Sequence, residues 1–395
     1  MRLQSVVHAP SSNRWLAAGD SHRTGAREAG VEAASLALEH EGADLLVVFG
    51  SYAYEPRELL DGICSQAPGV PLIGCSTRGE IAASGPSDAG VIVLAIGGTG
   101  FSVATSAATT AGGLREAGAA VASRAHEVRD RQHRVLLMLT DGLAGDQQEV
   151  VRGAYGVVGA EVPLAGGCAG ADPRMGMPRL FRDGEVLSNA VVAAAIGSDA
   201  PLGIGVHHGW RCVGEPMLVS ASESNRVLTL DDEPALDVYL RKLGAPSDAA
   251  SDPAAFADFA LTHPLGLQRR SGEDVRAVAG ADFSNRSLLC AAQLPRGGLT
   301  WFMEGDSSSV LAATDVACNK ALNQLEGAAP IGLLAFDCVA RRDVLGDAGA
   351  EQEVARIAGH ADGAPLAGFY TYGEIARISG TGGFHNQTLV VLALA

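Results

Sequence analysis

"VPLIGCSTRGEIA" runs from Val70 to Ala82, and "APLAGFYTYGEIA" runs from Ala364 to Ala376. From each proline onward the two stretches agree at eight of twelve positions, reading Pro-Leu-x-Gly-x-x-Thr-x-Gly-Glu-Ile-Ala. A motif written twice almost three hundred residues apart suggests a repeated structural unit, and the flanks extend the likeness. Upstream, Trp15 matches Trp301, Gly19-Asp20-Ser21 matches Gly305-Asp306-Ser307, and Leu36 matches Leu322 in the same register.

A helical pattern follows each Gly-Asp-Ser, and then comes a short apolar run, "DLLVVFGS" or "IGLLAFDC", that reads as a buried strand. A second helix, the PLxG strand and a closing run ("VIVLAIGG" or "TLVVLALA") complete the unit. A worn third copy lies between them, from "FSVATS" through "RVLLMLTDG" and "VPLAGGCAGAD" to "NAVVAAAIG". In this middle copy Ala169 replaces Thr, Ala171 replaces Gly and Asp172 replaces Glu. The expected fold class is therefore α/β: repeated strand-helix-strand-helix-strand units in three copies, the middle one degenerate. An antiparallel β-rich insert, starting near "GIGVHHGW", separates copies two and three. The domain boundary is placed at Asn225, giving domains 1–225 and 226–395.

Composition narrows the function. The chain has 395 residues, 47% of them apolar, and a formal charge of −16. That field repels phosphate backbones and anionic lipid, so no nucleic-acid or membrane partner is expected. The first twenty residues show no secretory or transit pattern, and the apolar runs are too short to span a bilayer, so the expected location is cytoplasmic. Seven dispersed cysteines without a CxxC pair argue against a disulfide framework and a cysteine zinc site.

Ligands of α/β units gather beyond the carboxyl ends of the strands. Both PLxG segments place a polar loop there. Cys75, Ser76, Thr77 and Glu80 in the first copy, with Tyr370, Thr371 and Glu374 in the last, are thus candidate ligand-binding residues. Two roles stand open for each glutamate: contacting a ligand, or bracing a turn. Glu304 and Asp306 in "EGDSSS" are further candidates. They could hold a ligand amine while a helix N-terminus takes its carboxylate. No P-loop, HExxH or GxGxxG after the first strand is present, and "GCSTRG" is not a hydrolase elbow, so no enzyme is expected. Thiol catalysis at Cys75 is the lesser alternative.

Several separated motifs together resemble the FIST family: "PLIGCSTRGEI", "GVHHGW", "RVLTLDDEPALDVY", "HPLG", "EGDSSS" and "PLAGFYTYGEIARISGTGGFHNQTLVVLAL". The resemblance runs from about Gly42 to the end of the chain. It implies an intracellular sensory module that recognises a small molecule such as an amino acid. The signal would pass to a separate partner such as a histidine kinase or a cyclic-dinucleotide enzyme. Some family members resemble haem proteins that sense nitric oxide. For that alternative, His208 and His385 are the axial-ligand candidates, since each lies close to glycine and an aromatic residue.

Overall fold

The apolar runs become strands in a computed structural model that describes residues 14–171, 177–269, 272–378 and 382–395. The first unit is β1 (Trp15–Ser21), α1 (Ala26–Ala37), β2 (Ala43–Ser51), α2 (Pro56–Gln66), β3 (Leu72–Thr77), a hairpin of β4 (Glu80–Ala82) and β5 (Gly85–Ser87), and β6 (Val91–Gly97). The second is β7 (Phe101–Thr109), α3 (Leu114–Ala122), β8 (His133–Asp141), α4 (Gln147–Val158), β9 (Leu164–Ala169), a hairpin of β10 (Leu180–Arg182) and β11 (Glu185–Leu187), and β12 (Ala190–Ser198). After β13 (Leu202–His207) the chain leaves for the insert.

The insert contains β14 (Arg211–Glu223), β15 (Arg226–Leu230), β16 (Glu233–Pro234), α5 (Ala235–Leu243), α6 (Pro253–Leu261), β17 (Leu265–Arg269), β18 (Gly272–Arg276), β19 (Val278–Asp282), β20 (Ser287–Cys290) and β21 (Leu299–Glu304). These strands form one antiparallel sheet over a core that includes Tyr239, Phe256 and Leu265. The chain then resumes with α7 (Ser307–Leu322), β22 (Gly332–Cys338), α8 (Val339–Ala361), β23 (Leu366–Thr371), a hairpin of β24 (Glu374–Arg377) and β25 (Phe384–His385), and β26 (Leu389–Leu394).

The three remaining sheets have six strands each, in the orders β1-β6-β2-β3-β10-β11, β7-β12-β8-β9-β24-β25 and β13-β26-β22-β23-β4-β5. Two strands in each are parallel, β2 with β3, β8 with β9 and β22 with β23. The last two strands of every sheet belong to a different segment of the chain. The hairpin after β3 pairs with β23, the hairpin after β9 pairs with β3, and the hairpin after β23 pairs with β9. The exchange is cyclic. One face of each sheet meets the other two in a shared apolar core, where the rings of Phe49, Phe336 and Phe369 lie 4.8–6.1 Å apart. The helices pack on the outer faces.

The twice-written motif marks the point where the chain crosses from one sheet to the next. Thr77 ends β3 and Glu80 opens β4 in another sheet; Thr371 and Glu374 do the same for β23 and β24. Each threonine hydroxyl donates to the glutamate three residues on, at 2.5 Å for Thr371 to Glu374. The other carboxylate oxygen of Glu80 accepts from the Gly90 N–H at 2.9 Å; that of Glu374 accepts from the Thr388 N–H at 3.1 Å and its hydroxyl at 2.8 Å. The intervening Gly79 and Gly373 take φ of +151° and +150°, a conformation that L side chains disfavour.

One expectation needs correction. Trp301 lies in β21 of the insert sheet, not in the strand corresponding to Trp15. The strand that pairs with β26 as β1 pairs with β6 is β13, so the insert interrupts the last unit between its first strand and first helix. An apolar run announces a strand but not its partner, which is why "TWFME" misled. Asn225 sits at the turn between the paired strands β14 and β15. Asp172 is outside the described residues. By strand register, the residue facing Cys75 as Glu80 faces Phe369 is Leu180.

Burial raises the Glu374 carboxyl from its ordinary 4.5 to about 7, and the hydrogen bonds it accepts only partly offset this. The folded state therefore favours the protonated acid. This contribution to stability is complete below about pH 4.5 and is lost as pH rises through about 7. Glu374→Gln, which resembles the protonated acid, should unfold like wild type at pH 5 and gain on it toward pH 8. Glu374→Ala, which strands buried donors, should lose roughly 2–4 kcal/mol by urea denaturation. A Cβ on residue 373 would sit 2.5 Å from the Phe384 ring, so Gly373→Ala should lower the melting temperature by more than a surface substitution does.

Candidate functional site

The PLxG candidates occupy the interior. Thr77, Tyr370, Thr371 and Glu374 are fully buried, Glu80 nearly so, and none of them borders either of the two cavities described below. Of the two roles open to the glutamates, the geometry displays the brace. Tyr370 lies under the Arg342 guanidinium, 4.7 Å from its ring centre. Cys75 points into the core shared by the three sheets, and burial pushes its thiol well above the ordinary value. A nucleophilic thiolate needs the opposite shift, so the thiol-enzyme alternative finds no support at this residue.

One cavity, of about 270 Å³, lies where the insert meets α7. It is lined by Arg211 at the start of β14, Thr262 and His263 after α6, Glu304 at the end of β21, and Gly305, Asp306 and Ser309 around the start of α7. Sequence reasoning found Glu304 and Asp306 but not Arg211, since a lone arginine after an aromatic carries no local signal. Arg211 stands 3.5 Å from Glu304, and both are exposed. Asp306 caps α7 by accepting from the Ser309 N–H at 2.8 Å, and this bond leads those that lower its pKa, keeping it ionised. The acidic loop is held from below. Gly305 runs so close over the Trp210 ring that a Cβ would lie 2.3 Å from Cε3, and the indole N–H donates to the Gln387 carbonyl at 3.1 Å. His263 stacks on Phe259 at 4.3 Å, and its Nδ1 lies 2.8 Å from the Phe259 carbonyl.

A second cavity, of about 350 Å³, opens at the carboxyl ends of β2 and β3. Ser51, Tyr52, Tyr54, Glu55, Arg57, Ser76 and Arg179 supply its polar lining, over an apolar floor that includes Leu59 and Phe181. Ser76 is thus the member of the PLxG set that lines this cavity. Its hydroxyl donates to the Gly170 carbonyl at 3.1 Å and accepts from the Arg179 N–H at 2.9 Å.

Each haem candidate has one ring nitrogen in a hydrogen bond to the backbone. His385 Nε2 lies 2.9 Å from the Ala376 carbonyl, and His208 Nδ1 accepts from the Trp210 N–H at 3.0 Å. Burial lowers both imidazoles, that of His208 to about 3, so both are neutral. An axial ligand must present a free ring nitrogen to an apolar slot. Neither histidine borders either cavity, and both cavities carry charged side chains in their walls. Neither of these cavities offers the two histidines a slot for a macrocycle. Among the described residues, no group of three or more His, Cys, Asp or Glu is placed to hold a metal ion, and no helix is long and apolar enough to cross a membrane.

Two family models match the chain. The FIST N domain covers residues 44–233 and the FIST C domain covers residues 235–377. An uncharacterized protein of Mycobacterium tuberculosis (strain ATCC 25618 / H37Rv) is 24% identical over 378 residues, spanning 92% of this chain and 94% of its own length. An uncharacterized protein of Mycobacterium bovis is 25% identical over the same extent. FIST domains are associated with sensory signal transduction, and the two models together span most of the sequence, so the chain belongs to the FIST family.

Proposed function

We propose that this protein senses an amino-acid-like metabolite in the cavity between the insert and α7, and relays its occupancy to a separate signalling partner. The observation that carries this reading is a small cavity displaying both signs of charge, with Arg211 beside Glu304 and Asp306. A zwitterion matches that lining. Its carboxylate pairs with the Arg211 guanidinium in the fork geometry that arginine favours, and its ammonium lies against Glu304 and Asp306. At about 270 Å³ the space suits a compact metabolite better than a nucleotide or a peptide.

Asp306 contributes its charge from a fixed position because the α7 cap holds it. The walls come from both sides of the junction, so a bound ligand would link the insert to the unit it interrupts. A partner that reads this junction, such as a histidine kinase or a cyclic-dinucleotide enzyme, would then distinguish the loaded from the empty sensor.

Calorimetric titration with the common amino acids tests the reading. At least one should bind, and Glu304→Gln and Arg211→Gln should each weaken it by at least about tenfold, the usual worth of a charge-assisted hydrogen bond. Both side chains are exposed, so melting temperatures should stay close to wild type. No binding by any amino acid, or unchanged affinity in both variants, would overturn the assignment.

A further inference from the structure

We infer that the cavity at the carboxyl ends of β2 and β3 is a second ligand site, built for a small organic anion with an apolar body. The argument begins with what fills the corresponding place in the other two sheets. By strand register, Ser51 and Ser76 stand where Asp141 and Cys168 stand in the second sheet and where Cys338 and Tyr370 stand in the third.

In the third sheet that region holds a buried ion network. Arg341 bonds Asp337 at 2.7 Å and also pairs with Glu353, and all three are buried beside Tyr370. In the second, Tyr372 covers the strand ends, its hydroxyl donating to the Ala171 carbonyl at 2.5 Å and its ring lying against Gly170. In the first sheet two serines leave room.

The hairpin that closes this first sheet also differs. Its crossing from Ala169 to Leu180 is longer than the three-residue step from Thr77 to Glu80, and its described residues Ala171, Met177 and Arg179 help to wall the cavity. The cavity thus arises where the degenerate copy delivers its hairpin.

Its chemistry departs from that of the chain as a whole. Against a net charge of −16, this lining carries two arginines and one acid. The acid, Glu55, caps α2 by accepting the Glu58 N–H at 2.8 Å. Arg57 has no hydrogen-bond or ion-pair partner among the described residues, while Arg179 reaches the Ser188 hydroxyl. Tyr54 is anchored by its hydroxyl to the Arg23 carbonyl at 2.6 Å. Leu59, Phe181 and Val186 give the cavity an apolar surface. A free guanidinium near a second one, over aromatic and aliphatic side chains, fits a carboxylate or phosphate carried on an apolar group. It suits a plain anion better than a zwitterion, because two guanidinium groups face a single carboxylate there. This site is independent of the one proposed above.

The test uses the full chain and three probes: phenyl phosphate, benzoate and inorganic phosphate. Calorimetry should show an aryl anion binding more tightly than inorganic phosphate; the better of phenyl phosphate and benzoate identifies the charged group. Arg57→Glu and Arg179→Glu should each weaken it by at least about tenfold, and Arg57→Lys should retain more affinity than Arg57→Glu. The exposed Arg57 makes no described bond, so its variants should melt like wild type, separating lost binding from lost fold. The Arg211→Gln variant should bind the aryl anion normally, so this proposal and the amino-acid reading fail separately. Absence of binding by both aryl anions, equal affinity for inorganic phosphate, or undiminished affinity in both charge reversals would overturn the inference.

Discussion

Every PLxG strand in this protein has a backbone edge that its own segment of chain cannot cover. β3, β9 and β23 each pair on one side with a parallel neighbour, and on the other with a hairpin delivered from elsewhere. An uncovered edge would leave a row of N–H and C=O groups without partners and open to pairing with other chains. The cyclic exchange closes all three edges at once. One backbone bond recurs at each closure: the Ser76 N–H to the Arg179 carbonyl, the Cys168 N–H to the Gly373 carbonyl, and the Tyr370 N–H to the Gly79 carbonyl, all at 2.8–2.9 Å. No sheet is completed by one segment, so the shared core and the three edges depend on one another.

That dependence gives the repeated motif its physical reason. A chain leaving one sheet and entering another three residues later must turn sharply inside the protein, where its polar groups lose water. Gly79 and Gly373 supply the backbone conformation, and the Thr–Glu pairs supply acceptors and donors that would otherwise be missing. Each carboxyl is buried at an electrostatic cost, seen in the rise of both glutamates to about 7. The middle copy takes a longer crossing, and Leu180 stands in the register position of the glutamates.

Much of this was legible in the residues. The α/β class, the paired motifs and the presence of a β-rich insert followed from periodicity and self-similarity. What the sequence could not show was pairing across long separations. The match of Trp15 with Trp301 compared two apolar runs whose hydrogen-bond partners differ. The polarity of Thr77, Glu80, Thr371 and Glu374 suggested a ligand because a carboxylate in an apolar stretch has two explanations, and only three-dimensional neighbours separate them. Glu304 and Asp306 were found because a helix start is a local feature. Arg211 and Arg57 were not, because an arginine acquires meaning only from the walls around it.

The two cavities follow from departures from the threefold pattern. One lies where a foreign sheet has been inserted between β13 and α7, the other where the degenerate hairpin closes the first sheet. At the corresponding strand ends of the third sheet, buried charged side chains bond one another. In the last unit Arg341 shows how far this goes: besides its two acids it donates to the His208 carbonyl at 2.9 Å and the Val310 carbonyl at 3.3 Å. His208 lies three residues before Arg211, and Val310 directly follows Ser309, so the buried ion network steadies both flanks of the insert cavity. Removing one member of such a network leaves an uncompensated buried charge, which makes its geometry all-or-none rather than continuously adjustable. A ligand that displaced Arg211 or Ser309 would therefore act on an element with a sharply defined resting arrangement, and a sensor needs that property if a small molecule is to change what a partner encounters.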